Sequence, residues 1–469
     1  MSNAPLMLSV SGCRGIVGES LTPDVVARFA GCFIGFLNER PAASKRPRVV
    51  LGGDGRKGAL SVRHAAISGL VAAGADVIDL AVATTPTVGV MVDHLKADGG
   101  IVLTASHNPA QWNGLKCLVA HPSGAHAPPA HLASKIIDRF RAGAPALASH
   151  DGQGSLVEDA TAARVHVDRV LKAVDRVVPV ERIRAKQFRV AVDCVNASGA
   201  EAARLLLDAL ACRTTFLNAD GSGVFPHPPE PTRENLASLS DAARKTNADV
   251  CFAQDPDADR LAILDEHADY IGEEYTLVLA CKAVGEGKAK PVFAANLSTS
   301  RMLDDLAATL SGRVLRTPVG EANVVAAMLE HNSLIGGEGN GGVIWPDVCL
   351  IRDSIGSMGL VLALMTREAK PLSEMLKAFP AYVIDKRKCP VRPGLAAAAS
   401  DALAAHFAGA QLDRQDGLRI DLDADGRNAA WLHVRASNTE PILRLIAEAR
   451  TADRAATLLA DAEKVIASL

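Results

Sequence analysis

The chain has 469 residues, enough for three or four domains with packed cores. Its 50 Lys and Arg nearly balance 53 Asp and Glu, giving a net charge of −3, and only 4% of residues are aromatic. That composition excludes a general attraction to nucleic acid or an anionic membrane and speaks against base-stacking platforms. No apolar run approaches the ~20 residues of a membrane span, and the first residues lack signal-peptide character. Nine scattered cysteines without a C-x-x-C pair fit a reducing setting, so the expectation is a cytoplasmic protein.

Residues 6–10 read as a strand ending at Ser11-Gly12-Cys13-Arg14-Gly15. Two glycines around an arginine predict a loop held close to something, with the guanidinium aimed at it; a solvated turn would have the same composition. Thr22-Pro23-Asp24 marks a helix start. A strand at 48–51, the loop Gly52-Gly53-Asp54-Gly55-Arg56-Lys57, a helix at 60–73 ending at Gly74 and a strand at 76–80 form a βαβ alternation. The apolar run 100–103 predicts a buried strand leading into Thr104-Ala105-Ser106-His107-Asn108-Pro109. Pro109 forces the chain to turn, leaving Ser106 and His107 at the lip of a strand, where open α/β sheets place their chemistry. Taken alone, the pair could be simple turn chemistry. Asn113-Gly114-Leu115-Lys116 reads as a turn bringing an ammonium near the serine. The Pro- and His-rich stretch 121–129 reads as loop rather than metal site, and a helix at 130–141 precedes the end of a first domain, 1–155.

A second unit, 156–259, comprises a helix at 160–174, a strand at 188–193, a turn at 196–199, a helix at 201–210 and the extended connector His227-Pro228-Pro229-Glu230-Pro231. Its last strand, 249–253, runs into Asp255-Pro256-Asp257-Ala258-Asp259-Arg260. A third unit, 260–370, repeats the alternation with helices at 274–284, 299–310, 321–331 and 354–368 and strands at 291–295, 313–317 and 333–336. The last of these strands leads to Gly337-Glu338-Gly339-Asn340-Gly341-Gly342. The remainder, 371–469, has short strands and two helices and reads as a small α+β domain. Between its last two strands lies Arg435-Ala436-Ser437-Asn438-Thr439-Glu440-Pro441.

Asp255, Asp257 and Asp259, at alternate positions after a strand, suit a hard cation such as Mg²⁺, which takes oxygen ligands; a solvated acidic loop is the alternative. Arg260 beside them makes phosphate a natural shared ligand. Arg435, Ser437, Asn438 and Thr439 offer a fork of donors and hydroxyls suited to a phosphate dianion, although a polar hairpin has the same composition. Glu338 and Asn340 sit among glycines that would let backbone approach a ligand while the carboxylate accepts sugar hydroxyls; a plain glycine hairpin, which would not require the glutamate, is the alternative. A serine near Mg²⁺ can exchange a phosphoryl group in line, with Lys116, His107 and Arg14 as candidates for charge stabilisation and proton handling. A second, distant phosphate clamp favours a mutase, which must hold the non-reacting phosphate, over a phosphatase.

These four loops, in this order across essentially the whole chain, resemble those of the α-D-phosphohexomutase superfamily. T-A-S-H-N-P at 104–109 resembles its phosphoserine loop, D-P-D-A-D-R at 255–260 its Mg²⁺ loop, G-E-G-N-G-G at 337–342 its sugar-binding loop and R-A-S-N-T-E-P at 435–441 its phosphate-binding loop. The resemblance implies an α/β fold of three similar mixed-sheet domains plus a smaller C-terminal α+β domain around a central cleft. It implies that phosphorylated Ser106 donates its phosphoryl group to a hexose phosphate, that a hexose bisphosphate serves as intermediate and activator, and that Asp255, Asp257 and Asp259 hold Mg²⁺ with a Ser106 phosphate oxygen. Lys116 and Arg14 match the lysine near the transferred group and the arginine of an N-terminal R-G motif. The partner is a small hexose phosphate, with monomer and homodimer both open.

The departures bear on substrate. Many members carry G-E-x-S-G-H in the sugar loop, where Asn340 and Gly342 stand here; Thr317-Pro318-Val319-Gly320 is followed by Glu321 where a bifunctional phosphomannomutase/phosphoglucomutase branch has histidine; and Pro256 replaces a usual glycine. Together these look more like a phosphoglucosamine mutase branch. Activity on neutral hexose phosphates, a sugar-phosphate binding protein without turnover, and a serine-dependent phosphatase are the alternatives.

Overall fold

The computed structural model describes residues 5–40, 46–392, 394–422, 429–436 and 442–469. Among them the chain forms four sheets. The first has seven strands in the spatial order Met7–Ser9, Gly12–Ile16, Trp112–Val119, Gly99–Leu103, Arg48–Gly53, Asp76–Val82 and Leu156–Glu158. Its half from Gly99–Leu103 onward is parallel, and the half towards Met7–Ser9 is antiparallel. The second sheet orders Leu261–Leu264, Val250–Gln254, Arg189–Asp193 and Arg213–Leu217; the third orders Arg313–Thr317, Val292–Asn296, Ile335–Glu338 and Gly342–Ile344. Each is parallel with one antiparallel edge hairpin. The fourth is an antiparallel sheet of five strands, Val383–Pro390, Ile442–Ala449, Ala430–Ala436, Leu418–Leu422 and Gln411–Asp413.

Helix Ser354–Glu368 lies against strand Gly342–Ile344 of the third sheet and strand Leu261–Leu264 of the second. It is buried continuously from Ser354 to Thr366, as an all-round apolar sequence requires, and packs on helices Glu274–Gly285 and Ala162–Asp175. Asp353 caps it by accepting from the Ile355 and Gly356 N–H groups. One apolar core runs from Val50 and Val92 through Val192 and Phe252 to Phe293 and Leu364. The last domain has its own core around Leu418, Leu432 and Leu459. Each such fully buried side chain contributes about 1.5–3 kcal/mol.

Several expectations are corrected. Residues 12–15 are strand, not loop, and Trp112–Val119 is a strand in register with it, Cys13 opposite Leu115, rather than a turn. The glycines that suggested turns serve close strand approach: a Cβ on Gly12 would lie 1.9 Å from Leu115 O, and one on Gly114 2.4 Å from Cys13 O. The second sheet continues past the 259/260 division, because Leu261–Leu264 pairs antiparallel with Cys251–Gln254; the acidic loop is a hairpin connection within that sheet. Likewise Leu156–Glu158 is the far edge of the first sheet, beyond 155. Helix Thr85–His94 had no predicted counterpart. It is capped by Thr84, whose side chain accepts from Thr87 N–H, and its buried positions, Thr85 to Val92, leave no polar face to reveal a helical period.

Candidate active site

Strand Gly99–Leu103 is fully buried and delivers Thr104 and Ser106 to the end of the first sheet. Ser106 adopts φ +50°, a left-handed conformation that a serine holds only where its surroundings fix it. A buried polar network does so. Ser106 N–H donates to Thr104 Oγ1 (2.8 Å), and Thr104 Oγ1 donates to Asp54 Oδ2 (2.5 Å). Arg56, 1% exposed, donates to Asp54 Oδ2 (2.9 Å), to Ser106 O (2.5 Å) and to Trp112 O (2.9 Å). The Gly52–Lys57 loop is therefore the support of the serine loop.

The three aspartates follow the buried strand Val250–Gln254 and are themselves fully buried. One oxygen of each lies within 4.8 Å of the others. Ser106 Oγ, from the first sheet, donates to Asp255 Oδ2 at 2.8 Å. Lys116 Nζ, from strand Trp112–Val119, lies 2.6 Å from Asp257 Oδ2 and 3.0 Å from Asp259 Oδ2. Thr85 Oγ1 donates to Asp257 (2.6 Å), and Arg260 N–H to Asp255 Oδ1 (3.1 Å). Burial and the neighbouring Asp259 and Asp257 push the Asp255 carboxyl well above the usual range. Burial works against charge on Lys116, but Asp257 and Asp259 hold its pKa above the ordinary lysine value. Among the described residues, Asp257 Oδ1 and Asp259 Oδ1 are buried without a hydrogen-bond partner. Orphaned carboxylate oxygens beside a third carboxylate are a donor set that fits a hard divalent cation.

His107 lies with Nδ1 3.4 Å from Ser106 Oγ and Nε2 3.9 Å from Glu230 Oε1. Burial, with Arg260 and Arg14 nearby, moves its pKa down to about 3, so the ring is neutral at pH 7. Arg260 Nη1 lies 3.6 Å from Glu230 Oε1, and Arg14 Nη1 lies 3.5 Å from Asn108 Oδ1.

Glu338 ends strand Ile335–Glu338 and is 5% exposed. Both of its oxygens are engaged within the protein: Oε1 accepts from Asn296 Nδ2 (2.8 Å) and Gly320 N–H (3.2 Å), and Oε2 from Arg352 Nη1 (2.6 Å). Asn340 turns its Oδ1 to the Gly342 N–H (3.2 Å) and so braces the hairpin. Arg435 Nε lies 3.2 Å from Asp416 Oδ2, which also accepts from the Val319 N–H (3.1 Å) of the Thr317–Gly320 turn. Ser437, Asn438 and Thr439 lie outside the described residues.

Ser106, His107, Lys116, Asp255, Asp257 and Asp259 thus converge from two sheets. Sequence reasoning missed Thr85, Asp54, Arg56 and Arg352; Glu321, marked in the sequence only as a departure bearing on substrate, lies with Oε2 3.5 Å from Arg352 Nε. Asp54 and Arg56 carried a local signal, as charges in a glycine-rich strand end; Thr85 and Arg352 join the site through tertiary contacts alone.

Phosphoglucomutase/phosphomannomutase family models match in succession: alpha/beta/alpha domain I over residues 7–146, domain II over 165–270, domain III over 272–382 and the C-terminal domain over 386–465. A probable phosphoglucosamine mutase of Methanopyrus kandleri is 35% identical over 453 residues, covering 96% of this chain and 95% of that protein. A phosphoglucomutase/phosphomannomutase of Thermococcus kodakarensis is also 35% identical, covering 95% and 94%. A crystal structure of a phosphoglucomutase/phosphomannomutase family protein from Burkholderia thailandensis, 25% identical, superposes with a TM-score of 0.81 over 98% of each chain. No described helix is long and apolar enough to cross a membrane.

Proposed function

The chain belongs to the α-D-phosphohexomutase superfamily, whose members are intramolecular phosphotransferases, and we propose that it interconverts glucosamine 6-phosphate and glucosamine 1-phosphate through phosphorylated Ser106. The observation that carries this reading is Ser106 Oγ at 2.8 Å from Asp255, at the mouth of a buried carboxylate cluster that also binds Lys116. Asp255, Asp257 and Asp259 would hold Mg²⁺ together with an oxygen of the Ser106 phosphate. When bound, the ion would supply charge neutralisation on the transferring phosphoryl oxygens.

The sugar hydroxyl attacks phosphorus as the Ser106 Oγ–P bond breaks, giving a hexose bisphosphate. In the return step Ser106 Oγ attacks the other phosphate, and the product hydroxyl leaves. Neutral His107, beside Ser106 Oγ, takes the proton of the attacking hydroxyl and returns it to the leaving oxygen. Lys116, kept charged by its aspartates, offers a fixed positive centre to the phosphoryl oxygens, and Arg14 and Arg260 add positive charge beside His107. Glu338, through the acceptor position that Arg352 leaves open on Oε2, and the side-chain N–H groups of Asn340 read the sugar, and Arg435 with Ser437, Asn438 and Thr439 holds the non-reacting phosphate.

The substrate reading is supported by the Methanopyrus kandleri relative's name and by the departures at Asn340, Gly342 and Glu321. The second reading, turnover of glucose or mannose phosphates, is supported by the equally similar Thermococcus kodakarensis relative. Side-by-side kcat/KM values for glucosamine, glucose and mannose phosphates, with Mg²⁺ and trace bisphosphate, separate them. A large preference for glucosamine phosphate is expected. Preference for a neutral sugar would overturn the substrate assignment and keep the mechanism.

A further inference from the structure

Arg352 belongs to none of the four signature loops, yet it touches acids from three segments of the site. Nη2 lies 2.5 Å from Asp259 Oδ2 of the metal loop, Nη1 2.6 Å from Glu338 Oε2 of the sugar loop, and Nε 3.5 Å from Glu321 Oε2 at the start of helix Glu321–His331. Its mount is rigid. Arg352 pairs with Ile344 in an antiparallel bridge, its N–H donates to Glu321 Oε1 (3.1 Å), and the next residue, Asp353, caps the buried central helix. The side chain is also what keeps Gly342 a glycine. A Cβ there would lie 2.3 Å from Arg352 Cδ and 3.0 Å from its Cγ, with the Asn340 side-chain oxygen at 3.1 Å and no backbone atom among these nearest neighbours. The backbone at Gly342 is outside the left-handed region, so the guanidinium stem, rather than backbone geometry, excludes a side chain at that position.

We propose that Arg352 is a positioning residue that locks the sugar-loop carboxylate of Glu338 against the metal-loop carboxylate of Asp259, from the space that a side chain at position 342 would occupy. The planar fork holds the two carboxylates on separate nitrogens, Nη2 for Asp259 and Nη1 for Glu338, and so fixes their spacing, whereas a lysine ammonium is a single point charge on a flexible stem that neutralises acids without setting the distance between them. The inference rests on the reading of Glu338 as the sugar-reading carboxylate. It differs from simple neutralisation of buried acids, which any cation at 352 would provide.

The test is a double-mutant cycle on the full-length, Mg²⁺-loaded protein, using the hexose phosphate it turns over best. The variants are Arg352→Lys, Glu338→Gln and the pair, and kcat and KM are measured separately. Arg352→Lys is expected to keep a melting temperature close to that of the parent and to lose at least tenfold in kcat/KM, mostly through KM. The pair is expected to lose no more than the worse single variant. Calorimetric affinity of metal-free protein for the same hexose phosphate should fall with KM. Near-parental kcat/KM in Arg352→Lys, unchanged calorimetric affinity, or losses that multiply in the pair would overturn the proposal while leaving Glu338 in its role. A silent Glu338→Gln would overturn the role of Glu338 and the proposal with it. If Arg352→Lys fails to fold, Gly342→Ala displaces the stem with the charge retained and enters the same cycle, where parental kinetics would overturn the proposal.

Discussion

Replacing Arg56 by alanine tests how the serine is held. Arg56 and Asp54 are a fully buried ion pair, 2.8 Å apart, whose guanidinium also satisfies the carbonyls of Ser106 and Trp112. The substitution leaves Asp54 as an uncompensated buried charge and orphans two carbonyls. Breaking a buried pair in this way costs about 3–5 kcal/mol, which for a domain of this size lowers the melting midpoint by roughly 6–20 °C. The kinetic effect is separate. The left-handed backbone of Ser106 stores about 1–3 kcal/mol that its surroundings must offset, so its release moves Oγ away from Asp255 and lowers kcat more than it raises KM. Arg56→Lys keeps the charge but cannot donate to Asp54, Ser106 O and Trp112 O together, so an intermediate result is expected. Differential scanning fluorimetry paired with steady-state kinetics at a temperature where both variants are folded makes the comparison. A folded Arg56→Ala protein with parental kcat would refute the view that this network sets the serine.

Arg435→Ala should raise KM by roughly 10–150-fold with a smaller change in kcat, the loss of a charged hydrogen bond of about 1.5–3 kcal/mol; an unchanged KM would contradict a phosphate-holding role. Chelation should abolish turnover, and Mg²⁺ at about 100 times its Kd should stabilise the protein by about 2.7 kcal/mol. Asp257→Asn should erase that metal-dependent shift in a thermal melt. Glu274 is buried beside the sugar loop, and desolvation raises its carboxyl well above the ordinary glutamate value, opposed by the Ser300 N–H. The folded state therefore keeps a proton that the unfolded chain releases: its contribution is full below 4.5 and is lost as pH rises towards the folded value. Glu274→Gln should accordingly gain thermal stability relative to the parent as pH rises above 4.5, and a pH-independent difference would refute the assignment.

The parts of the site that were legible in the sequence are those where strand, turn and chemistry coincide locally. Gly99–Leu103 announces itself as a buried strand, so the position of Ser106 at its end follows; the same logic brings Asp255, Asp257 and Asp259 to the end of Val250–Gln254. Arg14 and Lys116 were identified as residues but misassigned to loops, because a glycine required for strands to pass closely has the same letter as a glycine required for a turn. Helix Thr85–His94, which supplies Thr85 to Asp257, is buried on nearly all sides and rich in β-branched residues, so neither periodicity nor propensity marks it. Leu261–Leu264 was hidden because the acidic loop looked like an exit from the sheet, whereas Ala258 at φ +53° turns the chain back into it. Arg352 had no local signal at all: its role depends on Asp259, 93 residues away in sequence.

The most direct test of the central claim is the phosphorylation of Ser106 during turnover. Protein incubated with Mg²⁺ and a hexose 1,6-bisphosphate, then digested and analysed by mass spectrometry, should carry one phosphoryl group on the peptide containing Ser106. That phosphoryl group should be lost on addition of hexose monophosphate, with bisphosphate formed rather than free phosphate. Ser106→Ala should carry none and lose nearly all turnover while keeping its fold. A phosphoryl group on another residue, or near-parental rates in Ser106→Ala, would contradict the account.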